Sequence, residues 1–227
     1  MRIFGFPPFD DRRDAGRRLA RNLSRYREER PVVFALPRGG VPVAYEISRA
    51  LGAPLDVFVS RKLGAPGQPE LGIGAVAAGD VRVLNEDIVR RLGIPDDYVQ
   101  EITAHETAEV ERRLRYFRGE RPEPEVVGRT AILVDDGLAT GVTARAAIEA
   151  LRLRRPERLV LAAPVCAAQT AELFRPEVDE LVCLESPYDL GAIGFWYRNF
   201  EQTSDEEVVE LLERARSERE AGDPGTC

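Results

Sequence analysis

Apolar residues in this 227-residue chain fall into two patterns. In the first they are consecutive: residues 31–36, 55–60, 131–134 and 158–163 are apolar or nearly so, and 180–185 is a more mixed run. Runs of this kind, bounded by turn-forming residues, read as strands covered on both faces, as in parallel sheets. In the second pattern apolar residues recur every three or four positions. It appears in residues 10–30, where Ala15, Leu19, Leu23 and Tyr26 sit among arginines and acids, and in 41–51, 85–91, 95–118, 144–153 and 167–174. These segments are predicted as helices, the first starting at Asp10 or Asp11 with its arginines as a solvated face. Strand and helix alternate, so the expected fold is α/β, a doubly wound, mostly parallel sheet flanked by helices.

The pattern changes after residue 60. Residues 64–72 are rich in glycine and proline and read as a loop, and 73–84 as a hairpin turning at Ala78-Gly79-Asp80. Pro122 and Pro124 end the long helix before the next strand begins. Residues 204–216 are predicted as a helix opened by a capping box, Ser204 with Glu207, and the remainder is expected to be disordered.

Two strand-to-helix junctions carry candidate chemistry. The strand at 131–134 runs into Asp135-Asp136-Gly137-Leu138-Ala139-Thr140-Gly141-Val142-Thr143 and then an alanine-rich helix. Open α/β sheets bind ligands beyond the carboxyl ends of their strands, where helix amino termini present free N–H groups. Gly137 and Gly141 permit a tight turn with inward-facing amides, and the Thr140 and Thr143 hydroxyls add donors and are suited to cap the helix. That suits a phosphate. The carboxylates of Asp135 and Asp136 would repel it, so they serve a neighbour: sugar hydroxyls and a phosphate-borne Mg²⁺ both fit.

The first strand ends in Pro37-Arg38-Gly39-Gly40, the same junction with an arginine in place of acids. Two glycines admit close approach of an anion and Arg38 offers a planar donor fork. After the second strand come Arg61 and Lys62, and Lys62 is the only lysine among 32 basic residues. Chance accounts for a last lysine; the physical alternative is a compact point charge where a guanidinium is too bulky. Phe195-Trp196-Tyr197, on a glycine-flanked loop, reads either as core packing or as a platform for a flat heterocycle.

Residues 131–143, an apolar strand, two acids and a loop ending in Thr-Gly-x-Thr, resemble the phosphoribosyl-pyrophosphate (PRPP) motif of the type I phosphoribosyltransferases. The resemblance covers about residues 31–200, and Glu70-Leu71-Gly72-Ile73-Gly74-Ala75 is similar to a segment of a bacterial subgroup of such proteins. It implies that Asp135 and Asp136 bind the ribose hydroxyls and, through PRPP, Mg²⁺, while Gly137, Leu138, Ala139, Thr140, Gly141, Val142 and Thr143 hold the 5′-phosphate. Pro37, Arg38, Gly39 and Gly40 would form the pyrophosphate loop, often with a non-proline cis peptide, joined by Arg61 and Lys62. Asp135, Asp136, Arg38 and Lys62 would be the catalytic set, and Phe195 and Trp196 the acceptor-binding part of a hood. The implied reaction moves the phosphoribosyl group from PRPP to a nitrogenous acceptor and releases pyrophosphate. Ala139 stands where the 6-oxopurine enzymes of the family carry an aspartate, which argues against those acceptors. A PRPP- or nucleotide-sensing regulator without turnover is the alternative.

On this reading residues 1–30 are a helix packed on the core, and 31–200 the phosphoribosyltransferase-like domain, with an insertion at about 64–125 and a hood at about 186–200. Residues 201–227 are the last helix and tail. The insertion serves equally as a lid or a contact in a homodimer, the expected assembly. A net charge of −7 excludes a general nucleic-acid binder. No apolar run approaches the roughly 20 residues that cross a bilayer, and residues 1–8 lack a signal-peptide core, so no membrane partner and a cytoplasmic location are expected. Cys166, Cys183 and Cys227 suggest reduced structural thiols, and His105 on its charged helix a solvated residue rather than a catalytic one.

Overall fold

The computed structural model describes residues 8–79 and 81–222. In chain order its elements are α1 (Arg12–Leu23), β1 (Val32–Ala35), α2 (Gly40–Leu51), β2 (Leu55–Val57), β3 (Ser60–Ala65), β4 (Gln68–Ala77), β5 (Val81–Leu84), α3 (Glu86–Leu92) and α4 (Asp96–Arg118). They continue with β6 (Thr130–Val134), α5 (Val142–Leu153), β7 (Arg158–Val165), α6 (Ala168–Phe174), β8 (Glu180–Glu185) and α7 (Asp205–Gly222). Strands β2, β1, β6, β7 and β8 form, in that order, a wholly parallel sheet. The chain leaves β1 toward one edge and β6 toward the other. Their carboxyl ends therefore flank a topological switch point, the place where such sheets open a crevice.

The consecutive apolar residues are explained by burial on both faces. Val33, Ala35, Ile132 and Val134 pack with residues of α1, α2 and α7, while Val32, Phe34, Ala131 and Leu133 pack with α5 and α6. Cys166 is buried and Cys183 partly buried beside the second cluster, and both are free thiols; Cys227 lies outside the described residues. His105 is exposed, as its helix face predicts. No helix among the described residues is long and apolar enough to cross a membrane.

Three expectations need correction. Residues 64–72 are not a loop: β3 pairs antiparallel with β4, turning at Pro66-Gly67, and β4 pairs with β5 in a second, three-stranded sheet. The glycines mark close strand contacts, since a Cβ on Gly64 would lie 2.8 Å from the Pro69 carbonyl and one on Gly74 2.3 Å from that of Val83. The register shifts there, a setting in which glycine signals a bulge rather than a break. Residues 55–60 are likewise not one strand; β2 ends at Val57 and Ser60 already belongs to the second sheet. Finally, α7 continues to Gly222, past the expected end at 216, carried by the i,i+4 pairs Arg214–Glu218 and Arg216–Glu220. The rest of the tail expected to be disordered, 223–227, lies outside the described residues. At its start the Ser204 hydroxyl accepts from the Glu207 amide at 3.2 Å.

Helix α1 lies directly on α2 because Gly16 has no side chain: a Cβ there would stand 2.7 Å from the Val43 carbonyl oxygen. Asp11 caps the helix, accepting from the Asp14 amide at 2.7 Å, and so fixes where Arg12 begins. Gly16→Ala, which at an open helix position would stabilise by about 1 kcal/mol, is expected instead to destabilise by roughly 1–3 kcal/mol through overpacking. Urea unfolding with an unchanged m-value is the measurement.

Candidate functional site

The two junctions meet at the switch point in direct contact. The Leu36 amide donates to the Val134 carbonyl at 2.8 Å, and the Gly40 amide closes the turn onto Leu36 at 3.1 Å. A Cβ on Gly40 would lie 2.6 Å from the Val134 carbonyl oxygen, and one on Gly39 2.0 Å from Asp136 Oδ2. The glycines read as room for an anion are thus, in their side-chain direction, room for the neighbouring loop. The Pro37–Arg38 peptide bond is cis, as the resemblance implied.

The adjacent acids have different surroundings. Asp135 is partly buried, and its Oδ1 accepts from the Asp136 amide at 2.9 Å. Burial, and then the charge of Asp136, push its carboxyl well above the usual carboxylate range. Asp136 is buried and committed: Oδ2 accepts from Arg12 Nε at 2.8 Å, and its carbonyl accepts from the Tyr197 hydroxyl at 2.6 Å. Arg12 also donates Nη1 to the Glu201 carbonyl at 2.7 Å and lies 3.8 Å from the centre of the Phe200 ring. Phe200 stacks on Tyr197 with ring centres 5.0 Å apart. Burial, followed by the charge of Asp136, holds the Tyr197 hydroxyl above its ordinary range, so it stays a donor.

Arg12 corrects the expectation that the arginines of the first helix are solvated, its side chain being 11% exposed. Helical periodicity identifies a polar face but not what that face meets. One signal was available, since a cation in the first turn of a helix opposes the macrodipole and needs another reason to be there.

The loop expected to hold the 5′-phosphate is braced on both sides. Ile193 packs against Gly137, where a Cβ would be 2.6 Å from its side chain. Leu138 is buried, its amide bonded to the Val165 carbonyl at 2.9 Å, and the Ala139 carbonyl accepts from the Thr170 hydroxyl. Gly141 has φ +70° and the Phe174 ring beside it, so both conformation and space require glycine. Thr140, Val142 and Thr143 are exposed. Contrary to expectation, neither threonine caps α5: its amino end at Gly141 has no side-chain cap. The first amides of the helix therefore have no capping side chain.

The expected cations are distributed unequally. Arg38 is at the solvent boundary, with Nη1 3.6 Å from Asp205 Oδ1 at the start of α7. Arg61 and Lys62 are consecutive on β3 and so point to opposite faces. Arg61 Nε donates to Glu106 on α4 at 2.5 Å. Lys62 lines a cavity of about 620 Å³ shared with Thr140, Gly141 and Val142. The structure brings Lys62 to the 140–142 end of the acidic loop and turns Arg61 toward α4. Of the hood residues, Trp196 is partly buried and donates Nε1 to the Leu190 carbonyl at 3.0 Å, the core-packing reading, whereas Phe195 is 68% exposed.

Comparison with known proteins agrees with this geometry. The family model described as the phosphoribosyl transferase domain matches residues 10–195. Two Mycobacterium tuberculosis proteins, from strains CDC 1551 / Oshkosh and ATCC 25618 / H37Rv and each named "Putative phosphoribosyl transferase", are 47% identical to this chain over 215 residues. Those matches cover 94% of this chain and 48% of each relative, so the chain spans about half the length of the curated relatives it matches. The crystal structure of TT1426 from Thermus thermophilus is 40% identical and superposes with a TM-score of 0.83, covering 91% of this chain and 98% of that one. From its parallel sheet to the loops at the switch point, this chain belongs to the phosphoribosyl transferase domain family.

Proposed function

We propose that the protein transfers the 5-phosphoribosyl group from PRPP to a nitrogenous acceptor, a nucleobase or related heterocycle, and releases pyrophosphate. The observation that carries this reading is the uncapped amino end of α5 opening into one cavity with Lys62, on the loop that begins with the partly buried Asp135. The bond from C1′ to the pyrophosphate oxygen breaks with its electron pair leaving on pyrophosphate, and a bond from the acceptor nitrogen to C1′ forms, with loss of that nitrogen's proton. The chain need supply no covalent group; it orients the reactants, neutralises the departing charge and limits water.

In this reading the amides of residues 139–143 hold the 5′-phosphate, that of Leu138 being taken by the Val165 carbonyl, and Arg38 and Lys62 meet the pyrophosphate. Asp135 accepts from the ribose hydroxyls. Asp136, tied to Arg12 and Tyr197, fixes the loop that presents Asp135. Phe195 offers an exposed face to the acceptor ring. A resident metal cage does not fit, since no group of three or more His, Cys, Asp or Glu converges among the described residues. A carboxylate beside a phosphate cradle does fit Mg²⁺ arriving on the oxygens of PRPP, where it would offset phosphate charge.

PRPP with MgCl₂ at about 100 times its Kd should stabilise by about 2.7 kcal/mol, roughly 5–10 °C in Tm for a chain of this size. Asp135→Asn should lose most of that shift. Without ligand the variant should be no less stable at neutral pH. The raised carboxyl of Asp135 favours folding only while protonated, and that contribution is lost as pH rises through its folded pKa. An Asp135→Asn protein that keeps the full PRPP shift refutes the assigned role.

The same raised carboxyl sets a pH dependence. Ribose hydroxyls and Mg²⁺ bind its ionised form, so PRPP affinity should fall with decreasing pH from a point above the usual carboxylate range, and flatten in Asp135→Asn. Calorimetry across pH reads this directly. Turnover is tested by measuring pyrophosphate release from PRPP over a panel of nucleobases and other nitrogen heterocycles. Release with an acceptor supports transfer, with the 6-oxopurines expected to be inactive, and binding without release for every acceptor supports a sensor instead.

A further inference from the structure

A second cavity, of about 360 Å³, lies at the amino end of β2, on the opposite side of the parallel sheet from Asp135 and Asp136. It opens between Pro54 to Asp56, the segment following α4, and the last turns of α7. Four guanidinium groups line it, those of Arg118, Arg121, Arg216 and Arg219, against a single lining carboxylate, that of Asp56. The rest of the wall is apolar, with prolines and Leu212. In a chain of net charge −7 this is a local excess of positive charge.

Three of the four arginines have identified partners and are only partly neutralised. Arg118, with its side chain 13% exposed, keeps Nε 2.8 Å from Asp56 Oδ2 and Nη1 3.7 Å from Glu123. Glu123 is itself engaged by Arg154. Arg121 is fixed through Nε, which donates to the Arg118 carbonyl at 2.7 Å, leaving its terminal nitrogens for another partner. Arg216 pairs through Nε with Glu220 at 2.7 Å, on an exposed face where such pairs contribute little. Asp56 is itself taken up by Arg118, so the one lining carboxylate leaves the other three arginines without a counter-charge in the cavity wall.

We propose that this pocket binds a phosphate-bearing small molecule as a second anion site, distinct from the one at the switch point. Planar guanidinium forks match phosphate oxygens, and the volume lies at the small end of the range for ligand sites. The apolar wall would take the body of a phosphate ester. The proposal rests on the cavity and its charge alone, so it stands or falls apart from the PRPP reading.

The test is calorimetric titration of the full chain and of an Arg121→Gln/Arg219→Gln variant with inorganic phosphate and with adenosine 5′-monophosphate. The PRPP-induced Tm shift and circular dichroism serve as controls for the other site and for folding. Wild type is expected to show a saturable site whose affinity drops about tenfold or more in the variant, with the controls unchanged. Equal affinity for the two probes would assign the site to free phosphate, and tighter binding of the nucleotide to a phosphate ester. Absence of a saturable site in the wild type, or equal affinity in a folded variant, overturns the proposal.

Discussion

The approach of the first glycine loop to the second acidic loop governs the geometry of this site. Gly39 is close enough to Asp136, and Gly40 to the Val134 carbonyl, that no side chain fits at either position. Because of that contact two junctions from adjacent parallel strands act as one rigid wall rather than two independent turns. The wall is sealed by charge: Arg12 reaches from α1 to Asp136, while Tyr197 ties the same residue to the segment after β8. A buried carboxylate needs such partners, since an unpaired one would neutralise or unfold its surroundings.

Placing Asp135 and Asp136 side by side gives them unequal work. One carboxylate is spent on architecture and the other is left with a costly ionised form. Neighbouring titratable groups whose environments diverge in this way are a common mark of functional sites. The cations divide similarly, with Arg61 drawn to Glu106 and Lys62 placed on the cavity that Thr140, Gly141 and Val142 also line. The only lysine of the chain therefore lines the cavity at the amino end of α5.

Most of the fold was legible in the sequence because parallel strands buried on both faces must be consecutively apolar, and the helices between them carry their period openly. Residues 131–153 illustrate this, with strand, acids, turn and helix in the expected places. What sequence did not disclose were contacts in which a residue's meaning depends on a distant neighbour. Gly64 looked like a loop former because nothing local shows a strand pressed against it. Arg12 looked like surface because its partner is 124 positions away. The threonines looked like caps because their type allows it, yet α5 starts without one. Trp196 and Phe195, read together, separate into an anchored ring and an exposed one.

The Arg12 guanidinium has a further consequence for the history of each molecule. Its two partners, Asp136 and the Glu201 carbonyl, lie 124 and 189 positions along the chain. These contacts are far apart in sequence, and the pairing of β1 with β6 closes most of the span to Asp136. During synthesis the amino-terminal helix emerges long before either partner exists, so the pocket is completed only once nearly the whole domain has been made. The bracing of Asp136 by Arg12 is thus a late event in the synthesis of this chain.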